Sequence, residues 1–305
     1  MKNLEYWYGD DVDNKFRTTG LEILSVNINT KTRPALTLKE ECITAAQEIH
    51  SKYPNIYIAL SGGWESQLCL HSFIQAGITP NVYILKFPVG LNSHDTTIAI
   101  HQCKKYNIIP KFVNVNFETF INEHMIDTAK KYQTYSFVQT LHAYYIEQLH
   151  EDVLLVDKVN IRRDVNPDLS WSYIRSEDFD FWPERFNSFN EKKVINNFFS
   201  YSPELIYSFL TLPVIQELVK KQTSGKISLN SLKNLIYYQG GFTNLFDENT
   251  SRFVKTGSGD HIPGLNQKNS ELIQQTLQFK SRNVYISYND MIDILTNQGN
   301  VCQYI

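Results

Sequence analysis

Ile56-Tyr57-Ile58-Ala59-Leu60-Ser61-Gly62-Gly63-Trp64-Glu65-Ser66 is the stretch that decides the fold. It opens on an apolar run with the length and composition of a buried strand. Two glycines follow, and a helical pattern then runs through Leu68, Leu70 and Phe73 to Gly77. Backbone N–H groups in the first turn of a helix lack intrahelical partners and carry partial positive charge. Glycines let the chain approach phosphate oxygens closely and take positive φ. Ser61 and Ser66 add hydroxyl donors, and Glu65 adds a carboxylate for the magnesium that accompanies a nucleotide. The stretch reads as an ATP site; the plain alternative is a tight turn followed by an ordinary serine N-cap.

Working outward, the same alternation repeats. Thr37 is an expected N-cap with Glu40 three residues on, and Ile43, Ala46 and Ile49 follow at helical spacing. Val82–Leu85, Phe112–Val115 and Val153–Val156 read as further strands, with helices expected from Ser93, over 117–133 and over 136–150. Strands separated by helices imply βαβ units, hence an α/β fold with a doubly wound parallel sheet. Such sheets bind ligands at the carboxyl ends of their strands, where the Ser61–Ser66 loop falls. An extended edge element is expected within Leu21–Ile28, and a loop-rich cover, aromatic and charged, over 160–200. Ser202-Pro203-Glu204 marks a helix start, and Pro213 a break. A helix over Ser228–Tyr238 should end at Gly240-Gly241, a loop should cover 257–264, and Leu272–Leu277 and Tyr288–Leu295 should be helical. The expected organisation is an N-terminal extension over 1–36, a nucleotide-binding domain over 37–160 and a mainly helical acceptor or cover region over 161–305.

The Ser61–Ser66 stretch resembles the loop Ser-Gly-Gly-any-Asp-Ser of the N-type ATP pyrophosphatases, the PP-loop superfamily, with Glu65 where Asp is usual and Trp64 at the variable position. Members share an adenine nucleotide alpha hydrolase-like fold and cleave ATP to AMP and pyrophosphate, commonly by adenylating an oxygen that nitrogen or sulfur then displaces. The resemblance implies ATP and Mg2+ as cofactors. It gives Ser61, Gly62, Gly63, Trp64 and Ser66 the phosphates, and Glu65 a catalytic and metal-holding role. It lays Leu85 and Phe87, at the end of the second strand, against the adenine. Asn92-Ser93-His94-Asp95 is similar to the helix start of the same group. Asp157, closing the fourth strand, would be a second metal ligand and Lys158 a phosphate contact, although the glycines usual there are missing. Arg162 and Arg163 are further cations close by, and a solvated pair is their common state. Arg252-Phe253-Val254-Lys255-Thr256-Gly257 resembles a distal basic motif of asparagine-synthetase-like proteins, where Arg252 and Lys255 would stabilise departing pyrophosphate. Glu204, at its helix start, is a further residue that would face the site.

Composition narrows the field. With 29 basic and 32 acidic side chains the net charge is −3, which gives no bulk attraction to nucleic acid or anionic lipid. A tRNA-modifying PP-loop enzyme is therefore the lesser alternative. Cys42, Cys69, Cys103 and Cys302 show no metal or disulfide spacing, as expected of free thiols in the cytoplasm. The N-terminus lacks a signal-peptide core, and no apolar run reaches membrane length. Lys2 stands where a glutaminase nucleophile would be Cys. The expectation is thus a stand-alone asparagine-synthetase-like enzyme acting on a small-molecule acceptor, using an amine or ammonia from a separate ammonia-supplying protein. The competing expectations are a non-catalytic ATP- or AMP-binding protein, and an interaction protein that uses an exposed aromatic stretch from Trp171 to Phe186.

Overall fold

The computed structural model describes residues 5–8, 16–17, 24–157, 159, 161–162, 171–220, 229–242, 262–297 and 301–304. After two strands, β1 (Glu5–Tyr8) and β2 (Leu24–Ile28), comes helix α1 (Leu38–Lys52). Its start is the capping box legible in the sequence: Thr37 and Glu40 bond each other's backbone N–H, which satisfies two orphan donors of the first turn. Then follow β3 (Tyr57–Ala59), α2 (Trp64–Gln75), β4 (Asn81–Lys86), α3 (Ser93–Lys105) and β5 (Lys111–Asn114). The later strands are β6 (Val153–Leu154), β7 (Ile161–Arg162), β8 (Ser172–Ser176), β9 (Val194–Ile195), β10 (Asn283–Ser287) and β11 (Val301–Tyr304).

The fold is α/β. Its centre is a five-stranded sheet in the order β5-β4-β3-β6-β9, and every pairing in it is parallel. Chain order reverses direction between β3 and β6. Side chains alternate across this sheet: Ile58, Val82, Ile84 and Leu154 join the core formed with Leu68, Cys69 and Phe73 of α2. Tyr83 and Val153 face the other way, onto Ala143 and Ile146 of the Phe137–Glu147 helix and onto Trp182 and Phe186. Both faces are therefore covered, as a parallel sheet requires. Two antiparallel three-stranded sheets flank it, β1-β2-β11 and β10-β8-β7.

Several expectations are corrected. Of the expected edge element the described part, β2, is no edge: it lies between β1 and β11, bonded on both sides. Residues 171–200 are no loop-rich cover. They form β8, the helices Glu177–Asp180 and Trp182–Phe189, and β9, which is the fifth strand of the central sheet. Their aromatic stretch is mostly core, with Trp171, Phe181, Trp182 and Phe186 buried and Phe179 about half exposed. Its charges are buried in pairs, Arg185 Nη2 lying 3.3 Å from Glu177 Oε1. Apolar and charged residues mixed at short range read as surface when the partners lie elsewhere in the chain. Asn92, not Ser93, is the N-cap of α3, and no side chain caps that helix. Glu204 does not line the candidate site: its Oε1 accepts from the backbone N–H of Thr32 at 2.6 Å and of Arg33 at 3.3 Å. The helix expected from Leu272 begins at Pro263, and β10 was not foreseen. Ser202 and Pro203 do open the Pro203–Leu210 helix, and Leu229–Gln239 ends at Gly240-Gly241 as read.

Candidate active site

α2 begins directly behind β3, and its N-cap is Gly63, which has no side chain to cap the first turn. The loop instead ties down its own carbonyls. Ser66 Oγ donates to Gly63 O at 2.9 Å, and Gln67 Nε2 donates to Gly62 O at 2.9 Å. Ser61 and Ser66 hydroxyls lie 3.2 Å apart. The two glycines differ. Gly62 takes φ +78°, and a Cβ there would sit 2.1 Å from the carbonyl oxygen of Asp95. Gly63 has ordinary extended backbone. Gly62 is thus the residue that lets the start of α2 press against the first turn of α3.

The loop borders a cavity of about 230 Å3. Its walls come from the carboxyl ends of four parallel strands: Ser61 after β3, Leu85 and Phe87 around the end of β4, Asp157 after β6, and Asn196 and Asn197 after β9. This crevice lies across β3 and β6, where strand order reverses, the place such sheets reserve for ligands. Ser61, Glu65, Ser66, Leu85, Phe87 and Asp157, spread over almost a hundred residues of sequence, all line it. Trp64 does not. It lies against Tyr237 of the Leu229–Gln239 helix, rings stacked at 6.3 Å and 17°. Lys158, Arg163, Arg252 and Lys255, and the side chain of Arg162, lie outside the described residues.

The electrostatics of the walls are one-sided. Four carboxylates line the cavity, Glu65, Asp95, Asp157 and Asp180, and no lysine or arginine does so among the described residues. Two cations reach these acids from behind. Arg175 Nη2 stands 2.6 Å from Asp180 Oδ1, and Lys233 Nζ stands 2.5 Å from Glu65 Oε1. Burial pushes the Asp180 carboxyl up from its ordinary range, while Arg175 pulls it back. The buried Tyr237 hydroxyl is hydrogen-bonded to Glu65, and burial together with that carboxylate pushes its pKa well up. Oxygen-only carboxylate donors such as Glu65 and Asp157, both lining the cavity, match what magnesium takes from a protein when phosphates and water complete its shell. Among the described residues no cluster of three or more ligating side chains would hold a metal unaided.

At the end of β4, Asn92 spans the chain: its Nδ2 donates to Leu85 O at 2.8 Å and its Oδ1 accepts from the Phe87 N–H at 2.9 Å. A base using those backbone groups would have to displace this amide. Gln139, His142, Phe179 and Asn196 also line the cavity. Gln139 is held by the Trp182 indole N–H at 2.9 Å, and Asn196 by the Asp180 carbonyl at 2.9 Å. Lys233, Tyr237, Gln139 and His142 went unread in the sequence. The one usable signal was the i, i+4 spacing of Lys233 and Tyr237, which places them on one helix face. Cys42, Cys69 and Cys103 are free and buried, their thiols pushed up by burial, to about 11 at Cys103.

No protein-family profile matches the chain, and no curated protein sequence does. Among solved structures, an NMN synthetase from Francisella tularensis is similar at 13% identity over 77% of this chain and 94% of that chain, with a TM-score of 0.31. A glutamine-dependent NAD+ synthetase from Acinetobacter baumannii, in complex with adenosine diphosphate, is similar at 13% identity and a TM-score of 0.30. That likeness covers 84% of this chain and 49% of the synthetase. Likenesses this slight leave function to the site itself. No helix among the described residues is long and apolar enough to cross a membrane.

Proposed function

We propose that the protein is an ATP-dependent, AMP-forming enzyme that adenylates an oxygen of a small-molecule acceptor, releases pyrophosphate, and lets an amine or ammonia displace AMP. The observation that carries this reading is the loop geometry. Ser61, Glu65 and Ser66 line one cavity at the sheet's reversal point, at an α2 start that no side chain caps and that Gly62 lets press against α3. The finer reading, a doubly wound sheet carrying an asparagine-synthetase-like activity, draws on the resemblance of Ser61–Ser66 to the PP-loop.

In this scheme the first turn of α2, Ser61 and Ser66 hold the β- and γ-phosphates, and Glu65 and Asp157 hold magnesium. The metal would neutralise the polyphosphate. Phe87 offers a ring face to the base. An acceptor seated between Gln139, His142 and Asn196 would present its oxygen to the α-phosphorus, where it bonds as the oxygen bridging to pyrophosphate departs. Catalysis rests on orientation and on charge placed in advance, since no strong protein base is required for such a transfer.

Calorimetric titration with MgATP, with MgGTP as the control and the products assayed for AMP and pyrophosphate, tests this directly. ATP-selective binding with AMP formation is expected once an acceptor is supplied. Binding without AMP across a screen of acceptors would favour a nucleotide-binding protein, a reading that the Glu65–Lys233 pair lends some support by occupying the metal-holding carboxylate. No binding at millimolar ATP would end the proposal.

A further inference from the structure

We propose that Lys233 is a two-position cation: it neutralises Glu65 while the site is empty, and moves to the polyphosphate when a divalent metal takes Glu65. The inference rests on the reading of the cavity as a polyphosphate site and adds a residue and an order of events to it.

The starting fact is a charge mismatch. A polyphosphate entering a cavity walled by four carboxylates, with no lysine or arginine on its described walls, meets repulsion that must be met by cations from elsewhere. One source is a divalent metal on Glu65 and Asp157. The second is Lys233, already at the loop. The Leu229–Gln239 helix reaches the loop at two residues one turn apart: Tyr237 stacks on Trp64 and bonds Glu65, and Lys233 pairs with Glu65. The aromatic contact holds the helix in place whether or not the lysine keeps its partner.

Lys233 and the metal compete for the same carboxylate. A doubly charged ion outbids a single ammonium at that oxygen, and an ammonium on a flexible four-carbon stem can turn to a new partner without moving its helix. The Lys233 side chain is 18% exposed and that of Glu65 13%, which leaves this pair less enclosed than Arg175 and Asp180 at 4% and 8%. Once released, the ammonium lies beside the first turn of α2, where the phosphates would sit. Metal binding and polyphosphate binding are thereby coupled through one side chain: the metal frees the lysine, and the lysine completes the phosphate site. A fixed structural strut would behave otherwise, holding Glu65 in every state.

The two alternatives differ in sign. On the full-length protein, Mn2+ would be titrated without nucleotide and followed by electron paramagnetic resonance, and MgATP and AMP titrated by calorimetry, for wild type, Lys233→Met and Lys233→Gln. The expected result is tighter Mn2+ binding in both variants, because the competing ammonium is gone, by about tenfold. MgATP should bind about tenfold more weakly, since one charge-assisted contact to phosphate is lost, and AMP, lacking the outer phosphates, should bind as before. Metal and MgATP affinities that fall together, or that both stay at the wild-type level, would overturn the proposal while leaving the ATP site standing. Wild-type protein that binds neither Mn2+ nor MgATP would remove the phosphate reading and this inference with it. Should Lys233→Met fold poorly, as its melting temperature would show, Lys233→Gln carries the same opposed signs with a polar side chain.

Discussion

Two carboxylate–cation pairs stand behind the cavity walls, and they are built for different purposes. Asp180 and Arg175 are almost fully buried, with side-chain exposures of 8% and 4%, and each is engaged further. Asp180 Oδ2 accepts from the Ser176 N–H at 2.7 Å, and Arg175 Nη1 donates to Ser200 Oγ at 3.0 Å. Planar, multiply bonded and enclosed, this pair is a fixed part of the wall. Glu65 and Lys233 are a little more open, and the cation is a single ammonium at the end of a long stem. The contrast teaches that one part of the cavity wall rests on a rigid, enclosed pair, whereas the pair at the Ser61–Ser66 loop is less enclosed.

The rigid pair offers the sharpest way to break this contrast. Arg175→Met would leave Asp180 buried beside no cation, and a loss of about 3–5 kcal/mol is expected in a urea denaturation series. A loss comparable to that of Lys233→Met would erase the distinction between the two pairs. Next in size is Gly62→Ala, which asks an alanine to adopt φ +78° and to place Cβ against the Asp95 carbonyl. About 2 kcal/mol or more of destabilisation should accompany loss of MgATP binding, because the start of α2 must move from α3. Lys233→Met should cost less, about 1–2 kcal/mol of stability, because this pair is less enclosed than Arg175 and Asp180. A much larger cost would mark it as a strut like Arg175.

A pH test reaches the helix that carries Glu65. His71 of α2 bonds Tyr106 Oη through Nδ1 at 2.9 Å, and burial, with smaller contributions from Lys39 and Lys105, pushes its pKa down to about 4. The folded value lies below the unfolded one, so the unfolded chain binds the proton first. Stability should be full above about pH 6.5 and fall as pH drops toward 4, by about 1 kcal/mol given the ring's partial exposure. His71→Gln should remove that slope, measured by denaturation at successive pH values. The smallest effect expected is Thr37→Ala, about 1 kcal/mol or less from opening the α1 capping box, with nucleotide affinity untouched. A change in affinity there would show that the loop senses distant helix ends as well as its own neighbours.

Much of this architecture is legible before any coordinates. The strand, turn and helix over 57–75, the Thr37 cap, the Ser202-Pro203 helix start and the Gly240-Gly241 stop all rest on interactions between residues a few positions apart. Capping, periodicity and glycine φ are local physics, so local sequence reports them. The site is legible to the extent that it is built from strand ends: Ser61, Leu85 and Asp157 each close a recognisable apolar run, and parallel pairing brings those ends together. Reading stops where burial is decided at long range. The aromatic and charged stretch of 171–200 looks like surface because Glu177 meets Tyr135 at 2.9 Å and Trp182 meets Gln139, partners some forty positions away.

By itself, then, the sequence determined a parallel α/β frame and the place in it where a glycine-rich helix start opens, because hydrophobic period and turn chemistry act within a few residues. Only the tertiary structure decided which charges stand around that opening. Glu65 and Lys233 are 168 positions apart, and Asp157 approaches the loop only because β6 pairs with β3. A lone lysine on a helix carries no mark of its partner. The pairing follows from the Tyr237–Trp64 contact that sets the helix on the loop, and contacts of that kind exist only once the chain has packed.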